Sequence, residues 1–456
     1  MGLQTFPYTA PSATLPKVAN MQKWKWTLNR YSRRLWVRAS FFSLLGVATA
    51  LCAAWFKDWI PPGWGDHIGA QAVDDILKII ASSMLAVTTF SLGIVVSAYS
   101  SASNSATPRA TPLLTSDTTA HNALSTFIGA FLFSIVGIVA LKTGVYEQQG
   151  RVLLFMMTVL VIVLIVYTLL RWIHHLSQLG RLGSTVDKLE EVACRSLRQH
   201  LQEPFLGGRE WPTEHEQPAG TQALTAPQCG YVQAVDMAAI VQAMQAHHLE
   251  AVYLCARPGR LVDPNVPLLY LRPSPQAAAD ETDGEASRQA LETALRAAFS
   301  IGTSRSFDFD PRFGMIVMSE VASKALSSAI NDSGTVIDLI GRAVRVFRIW
   351  VDYPAEKAEL RYEHIWVPPL PLSDYFDDFF PVVSRDGAGL AEVGVRLQKA
   401  LLALARTGDP EMIRLAQRHA QHALQHAEKA LPFDFELEPI RAIHAQIQQM
   451  AASSTR

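Results

Sequence analysis

Seven small or polar residues, Ser82, Ala86, Thr89, Gly93, Ser97, Ser100 and Asn104, recur every three or four positions through an apolar stretch. That period puts them on one stripe of a helix. Such a stripe serves one of two ends. Its hydroxyls line a path for water and ions, replacing part of a hydration shell without trapping the ion. Alternatively, its small side chains let another helix pack closely while each hydroxyl bonds back to its own helix. Arg109 and His121 follow the stripe. They form either an anion-attracting or gating ring, or an anchor on lipid phosphates. Asp308, Asp310 and Arg312 surround Pro311, and Asn331 and Asp332 end a later helical pattern. These two places make either a joint cation or ligand site, or a pair of helix caps with Asp310 ahead of Pro311. Asp374, Asp377 and Asp378 have the charge for a divalent cation but not the loop spacing of a calcium site. Ser373 as N-cap, with acids in the first turn, explains them as well. His419, His422 and His426 lie along one helix flank, and the last two have the i,i+4 spacing of a metal pair. No third ligand accompanies them, so neither a metal nor a cofactor is expected.

Enzyme chemistry has no comparable signal. The chain carries no GxxxxGK[ST], no GxGxxG after a strand, no HExxH and no GxSxG. The expectation is a protein that is not an enzyme. The middles of the apolar segments also lack Asp, Glu, Lys, Arg and His. A proton relay or charge-coupled pump needs such a residue, whereas a passive path with a neutral lining does not.

The elements that would position these residues follow from hydropathy. Of the 456 residues, four apolar segments reach about 20, the length that spans roughly 30 Å of hydrocarbon as a helix. They are 36–56, 76–99, 123–141 and 152–173. Lys23, Lys25, Arg30, Arg33, Arg34 and Arg38 precede the first, and Arg171 and Arg181 flank the last. Between the first two, acids outnumber bases, so the positive-inside rule puts both termini in the cytoplasm. Trp36, Trp55, Trp59, Trp64 and Trp172 suit interfacial anchors. Ala130, Ser134 and Gly137 give the third span small positions for close approach to the second. The net charge of −1 leaves no basic excess, so nucleic acid is not an expected partner. The four cysteines, Cys52, Cys194, Cys229 and Cys255, form no CxxC pair and read as reduced structural thiols.

The expected fold is therefore membrane α-helical, with four transmembrane helices, plus a mixed α/β cytoplasmic region and C-terminal helices. Residues 1–34 form a basic cytoplasmic tail, 35–175 the transmembrane domain and 176–227 a connecting helix and linker. Helix two is expected to continue to Thr107, ahead of Pro108. Alternation over 231–235, 251–255 and 266–271 around a helical stretch marks a small α/β unit at 228–272. A helical segment at 288–352 follows, then a strand and a helical bundle at 353–456. In the bundle Leu397, Leu401 and Leu404, then Met412, Ala416 and Ala420, then Ile440, Ile443 and Ile447, make apolar stripes.

Several strings resemble a family of bacterial predicted membrane proteins, domain of unknown function 2254. One runs from Ser83 to Leu92 (SMLAVTTFSL) and on through Ser97–Ser103 to Thr107-Pro108-Arg109. Another is Phe309-Asp310-Pro311-Arg312-Phe313-Gly314 with Ala325–Asp332, where this chain has Ser328 and Ser333 at positions the family tends to fill with proline. A third is Gly230–Gln233 with Pro258-Gly259, and a fourth is Pro368–Phe376. The resemblance implies an inner-membrane protein with a cytoplasmic C-terminal region and brings no known activity. Two functions from different classes follow from the residues. The first is an oligomeric, channel-like protein whose second helix lines a polar pathway for small ions, with a regulatory or assembly region in the cytoplasm. The second is a non-conducting, membrane-anchored sensor or scaffold that binds a cytoplasmic ligand or protein. Both require the lipid bilayer as partner, and the first requires a homo-oligomer.

Overall fold

The computed structural model describes residues 40, 44, 48, 70–115, 117–143, 148–177, 180–211, 216–274, 285–353 and 360–454. They fall into two compact units, one drawn from 208–304 and 360–368, the other from 32–207, 305–359 and 369–456. The stretch 288–352, expected as one helical segment, is divided between them.

The larger unit is helical. Its first helices are α1 (Ala70–Ser105), α2 (Thr111–Thr115), α3 (Thr118–Lys142), α4 (Gln148–Leu176) and α5 (Leu182–Gln202). Within them, Gln71–Ser101, Thr118–Lys142 and Leu154–Leu176 are long and apolar enough to cross a membrane. These correspond to the second, third and fourth expected spans. The first, at 36–56, lies outside the described residues except for Ser40, Leu44 and Ala48, which are helical and exposed. The basic tail and the tryptophans of the first outer loop also lie outside them. Helix α1 has no proline and one glycine, and its 36 residues extend about 54 Å, well past a hydrocarbon core of roughly 30 Å. It stops at Ser105 rather than at Thr107. Thr107, constrained by the proline after it, is extended (φ −153°), and its hydroxyl accepts from the Arg109 N–H to open a short 3-10 turn at Pro108–Ala110.

The rest of this unit comprises α5 and the helices here numbered α8 (Phe313–Ala325), α9 (Ser333–Asp352), α10 (Leu372–Asp386), α11 (Ala391–Ala405), α12 (Pro410–Ala430) and α13 (Asp434–Ser454). Aspartates open several helices of the chain. Asp117 caps α3, Asp332 caps α9 and Asp409 caps α12, the last with Pro410 at the first helical position. The apolar stripes read from the sequence face inward. Leu397, Leu401 and Leu404 share a core with Met412, Ala416, Ala420, Phe347, Phe376 and Phe380. Ala106 and Ala110, just beyond α1, belong to that same core, so the end of α1 is built into the helical bundle.

Among the described residues the smaller unit has two sheets. Strands β1 (Arg209–Glu210), β2 (Gln222–Thr225), β4 (Leu249–Leu254), β6 (Pro267–Pro273) and β8 (Ile365–Val367) form one in the order β1-β8-β4-β6-β2. Strand β8 runs parallel to β4, with Val252 opposite Ile365 and Tyr253 opposite Trp366. Strands β3 (Gly230–Val235), β5 (Leu261–Val262) and β7 (Phe299–Gly302) form the other in the order β5-β3-β7. Helices α6 (Met237–Ala246) and α7 (Glu285–Ala297) complete the unit. The α/β region is thus larger than 228–272 and takes β8 from far along the chain. That distant parallel pairing leaves no local sequence signal.

Candidate functional site

The seven stripe residues are all exposed, Ser82, Ala86 and Thr89 through Gly93 and Ser97 to Ser100 and Asn104. A Cβ added at Gly93 would meet nothing within 4 Å. The opposite face of α1, with Val73, Leu77, Ile80, Met84 and Val95, is buried against its neighbours. Helices α1 and α3 do approach closely, but on that buried face: a Cβ at Gly137 would lie 3.0 Å from Leu77 Cδ1. Small residues of α3 therefore bring the two helices together without using the stripe. Ser82 donates to the Ile79 carbonyl (3.2 Å) and Thr89 to the Leu85 carbonyl (2.9 Å). Each hydroxyl has one hydrogen, so these two present only lone pairs outward.

At the end of the stripe α8 grips α1. Arg109 pairs with Glu320, whose carboxylate also accepts from the Thr107 hydroxyl at 3.5 Å. One turn further on, Lys324 donates to the Ser103 carbonyl at 3.1 Å. Arg109, expected in a ring or on lipid, is committed to this clasp. His121 lies in the first turn of α3 and is buried rather than placed in a loop.

A second junction, unread in the sequence, centres on Asp117. Its side chain is 6% exposed and receives Lys188 Nζ of α5 at 2.6 Å, with His175 Nε2 of α4 at 3.1 Å. The same carboxylate caps α3 by accepting from the N–H groups of Thr119 (2.9 Å) and Ala120 (3.4 Å). Burial pushes this carboxyl up, but the hydrogen bonds from His175 and Lys188 outweigh it and hold Asp117 far below the usual carboxylate range. Nearby, Trp172 donates from its indole to Ser91 of α1 at 2.9 Å and is fully buried. The ring expected as an interfacial anchor instead ties α4 to α1. Periodicity cannot reveal this, because an interfacial and a buried tryptophan look alike in sequence.

The acidic candidates are occupied by arginines. Asp310 holds Arg305 through two hydrogen bonds (2.6 and 2.9 Å) and accepts from the Arg312 N–H at 3.1 Å. Arg312 makes two bonds of 2.8 Å to Asp378 and also pairs with Asp374. Burial opposes the charge on Arg312, but Asp378 and Asp374 outweigh it and raise its pKa. Asp308 bonds locally to Ser306. Helix α8 starts at Phe313 with Arg312 at the N-cap, so Asp310 braces the turn rather than capping the helix. Asn331, in the left-handed region (φ 50°), and Asp332, which caps α9 on Thr335, lie beyond the other end of α8. Thirteen residues of helix, about 20 Å, separate the two places, so they do not form one site. Pro371, not Ser373, precedes α10 as its cap residue. Asp377 pairs with Arg418 at 2.6 Å and contacts His419 at 3.3 Å. His419 is buried against the Phe376 and Phe380 rings, whereas His422 and His426 are exposed. Among the described residues no group of three His, Cys, Asp or Glu side chains is arranged to hold a metal ion.

Among the described residues, three helices long and apolar enough to span a membrane, packed in one unit with a helical bundle, define a membrane protein, and the α/β strands form a separate unit. Residues 32–403 match the family described as predicted membrane protein (DUF2254), and the chain belongs to it. No curated protein and no solved structure matches the chain.

Proposed function

We propose that this is a homo-oligomeric, channel-like protein of the bacterial inner membrane, with both termini in the cytoplasm. Helix α1 lines its pathway, and the bundle of α5 and α8–α13 is the regulatory and assembly region. The observation that carries this reading is the exposure of the whole Ser82–Asn104 stripe, which runs between exposed apolar side chains such as Leu85, Phe90 and Val96, while Val73, Leu77 and Met84 on the opposite face are buried. A polar stripe is better placed on water than on lipid, and several copies around an axis would supply the water. The outward lone pairs of Ser82 and Thr89 favour cations over anions as the permeant species. The clasp of Arg109, Glu320 and Lys324 supports control of the inner end by α8.

A non-conducting sensor or scaffold is the second reading. It is favoured by the same back-bonding of Ser82 and Thr89, which also suits a helix surface that packs dry against a second copy.

Ion flux into liposomes holding the purified protein separates the two. Empty liposomes and a variant with Ser82→Leu, Thr89→Leu and Ser97→Leu are the controls. Flux in the native protein that disappears in the variant, with the oligomer retained, is the expected result. Unchanged flux in the folded variant would remove α1 from the pathway. Absence of flux across several salts and pH values would favour the scaffold.

A further inference from the structure

A cavity of about 510 Å³ opens in the α/β unit at the end of the sheet where β4 and β8 begin and β6 ends. This falls within the roughly 300–1,000 Å³ typical of small-molecule sites. Its lining combines an apolar part, with Val241 and Met244, and a polar part, with His248, Arg361, Glu363 and His364. The polar part is rich in donors. The residues that line it include one arginine, two histidines and one glutamate.

His248 carries a second, independent mark. Helix α6 ends at Ala246, with His247 at the C-cap. His248 then takes the left-handed conformation (φ 50°) that turns the chain into β4, and its carbonyl accepts from the Ser274 N–H at 3.1 Å. At this position after a helix, glycine or asparagine is the usual residue, because a Cβ is disfavoured there. The chain holds an exposed histidine instead, and this residue lines the cavity. Histidine is among the few side chains that enter this region with some frequency, and here the turn sets it on the cavity lining. The loop on the facing side is also fixed, since Arg209 Nε donates to the Glu363 carbonyl at 2.9 Å and the Val252 N–H to the His364 carbonyl at 2.9 Å.

We propose that this cavity binds a small phosphorylated molecule. Arg361 takes the phosphate with its planar fork, which matches two phosphate oxygens at once. His248 and His364 add N–H donors. The organic part lies over Val241 and Met244, and Glu363 accepts from a hydroxyl or amine of the ligand. All of the cavity's lining residues belong to the smaller unit, and its occupancy is measurable whether or not the protein conducts.

The test is calorimetric titration and thermal melting of the full-length protein in detergent. The probes are AMP, ribose 5-phosphate, inorganic phosphate and, as an anion without phosphorus, citrate. The expected result is saturable binding of an organic phosphate, tighter than inorganic phosphate and citrate, with a rise in Tm. His248→Gly should raise the Tm of the unliganded protein, by relieving the left-handed histidine, yet weaken the organic phosphate by about tenfold or more. Arg361→Ala should weaken it at least as much, read as the loss of the ligand-induced rise above the variant's own unliganded Tm. Inorganic phosphate binding as tightly as the organic probes would assign the site to free phosphate and overturn the organic half of the proposal. No saturable binding of any phosphate at millimolar concentration, equal binding of citrate, or binding unaffected by both substitutions would overturn all of it.

Discussion

His419 shows how far a residue's neighbours decide its chemistry. In the sequence it is one of three histidines on a helix flank, and in the fold it is 2% exposed among aromatic rings. Burial, then the adjacent Arg418, push its pKa down from 6.5 to about 4, against the pull of Asp377. The folded ring is therefore neutral at pH 7. Between about pH 6.5 and 4 the unfolded chain binds the proton that the folded one refuses, so stability falls as the pH drops through that window. The loss attributable to this one group is on the order of 3 kcal/mol. His419→Gln, which cannot titrate, should flatten the pH dependence of the melting temperature between 4 and 6.5. A variant curve parallel to the native one would show that other groups set the slope. Asp117 is the opposite case. Its pairing with Lys188 and His175 keeps it ionised, so what it contributes persists through neutral pH and disappears only in strong acid.

At the scale of elements, α8 is the part that touches most of what looks functional. Its start carries the Arg312 network, its last turns hold the end of α1, and its flank lies on α5. Gly314 sets that last spacing. A Cβ there would lie 2.6 Å from the Ala193 Cβ and 2.8 Å from its Cα. Backbone cannot yield to that as a flexible side chain would, so Gly314→Ala must separate α8 from α5. A destabilisation of about 1–3 kcal/mol is expected, read as a lower melting temperature in detergent. A melting temperature equal to the native one would mean that the two helices are loosely held. Gly183 has open space at its Cβ, and Gly183→Ala serves as the control. The elements themselves were largely legible in the sequence, because their signals are local. Periodicity marked the spans and bundle stripes, and Asp332 was readable as a cap. What escaped has a non-local cause. Strand β8 pairs with β4 across more than a hundred residues, and Trp172 finds Ser91 across 81. Asp117, between two apolar segments, looks like any loop acid until α4 and α5 return a histidine and a lysine to it. The stripe was legible as a surface, but which neighbour it faces is a tertiary fact.

For the whole molecule, the family match and the fold end at different places. The match stops at residue 403, near the end of α11, whereas the core of the helical unit continues through α12 and α13. Met412, Ala416 and Ala420 of α12 close the face formed by Leu397, Leu401 and Leu404, and Gln398, fully buried, donates to the Ala420 carbonyl at 2.8 Å. A chain ending at Arg406 would keep the matched region whole yet expose those leucines together with Phe376 and Phe380. Each large side chain brought back to water costs about 1.5–3 kcal/mol, so five of them amount to roughly 7–15 kcal/mol, comparable to the entire stability of a typical domain at about 5–15 kcal/mol. The buried Gln398 amide would also lose its partner. The truncated protein is expected to aggregate or to be degraded, and to show no cooperative melting of the extramembrane part even if its membrane helices insert. Size-exclusion chromatography and thermal melting of the two forms in the same detergent test this directly. A monodisperse truncated protein that melts as the full chain does would mean that α12 and α13 are an appendage. The alternative places them among the structural requirements of the bundle that clasps α1, so a flux assay on the full chain and one on the truncated chain would interrogate different molecules.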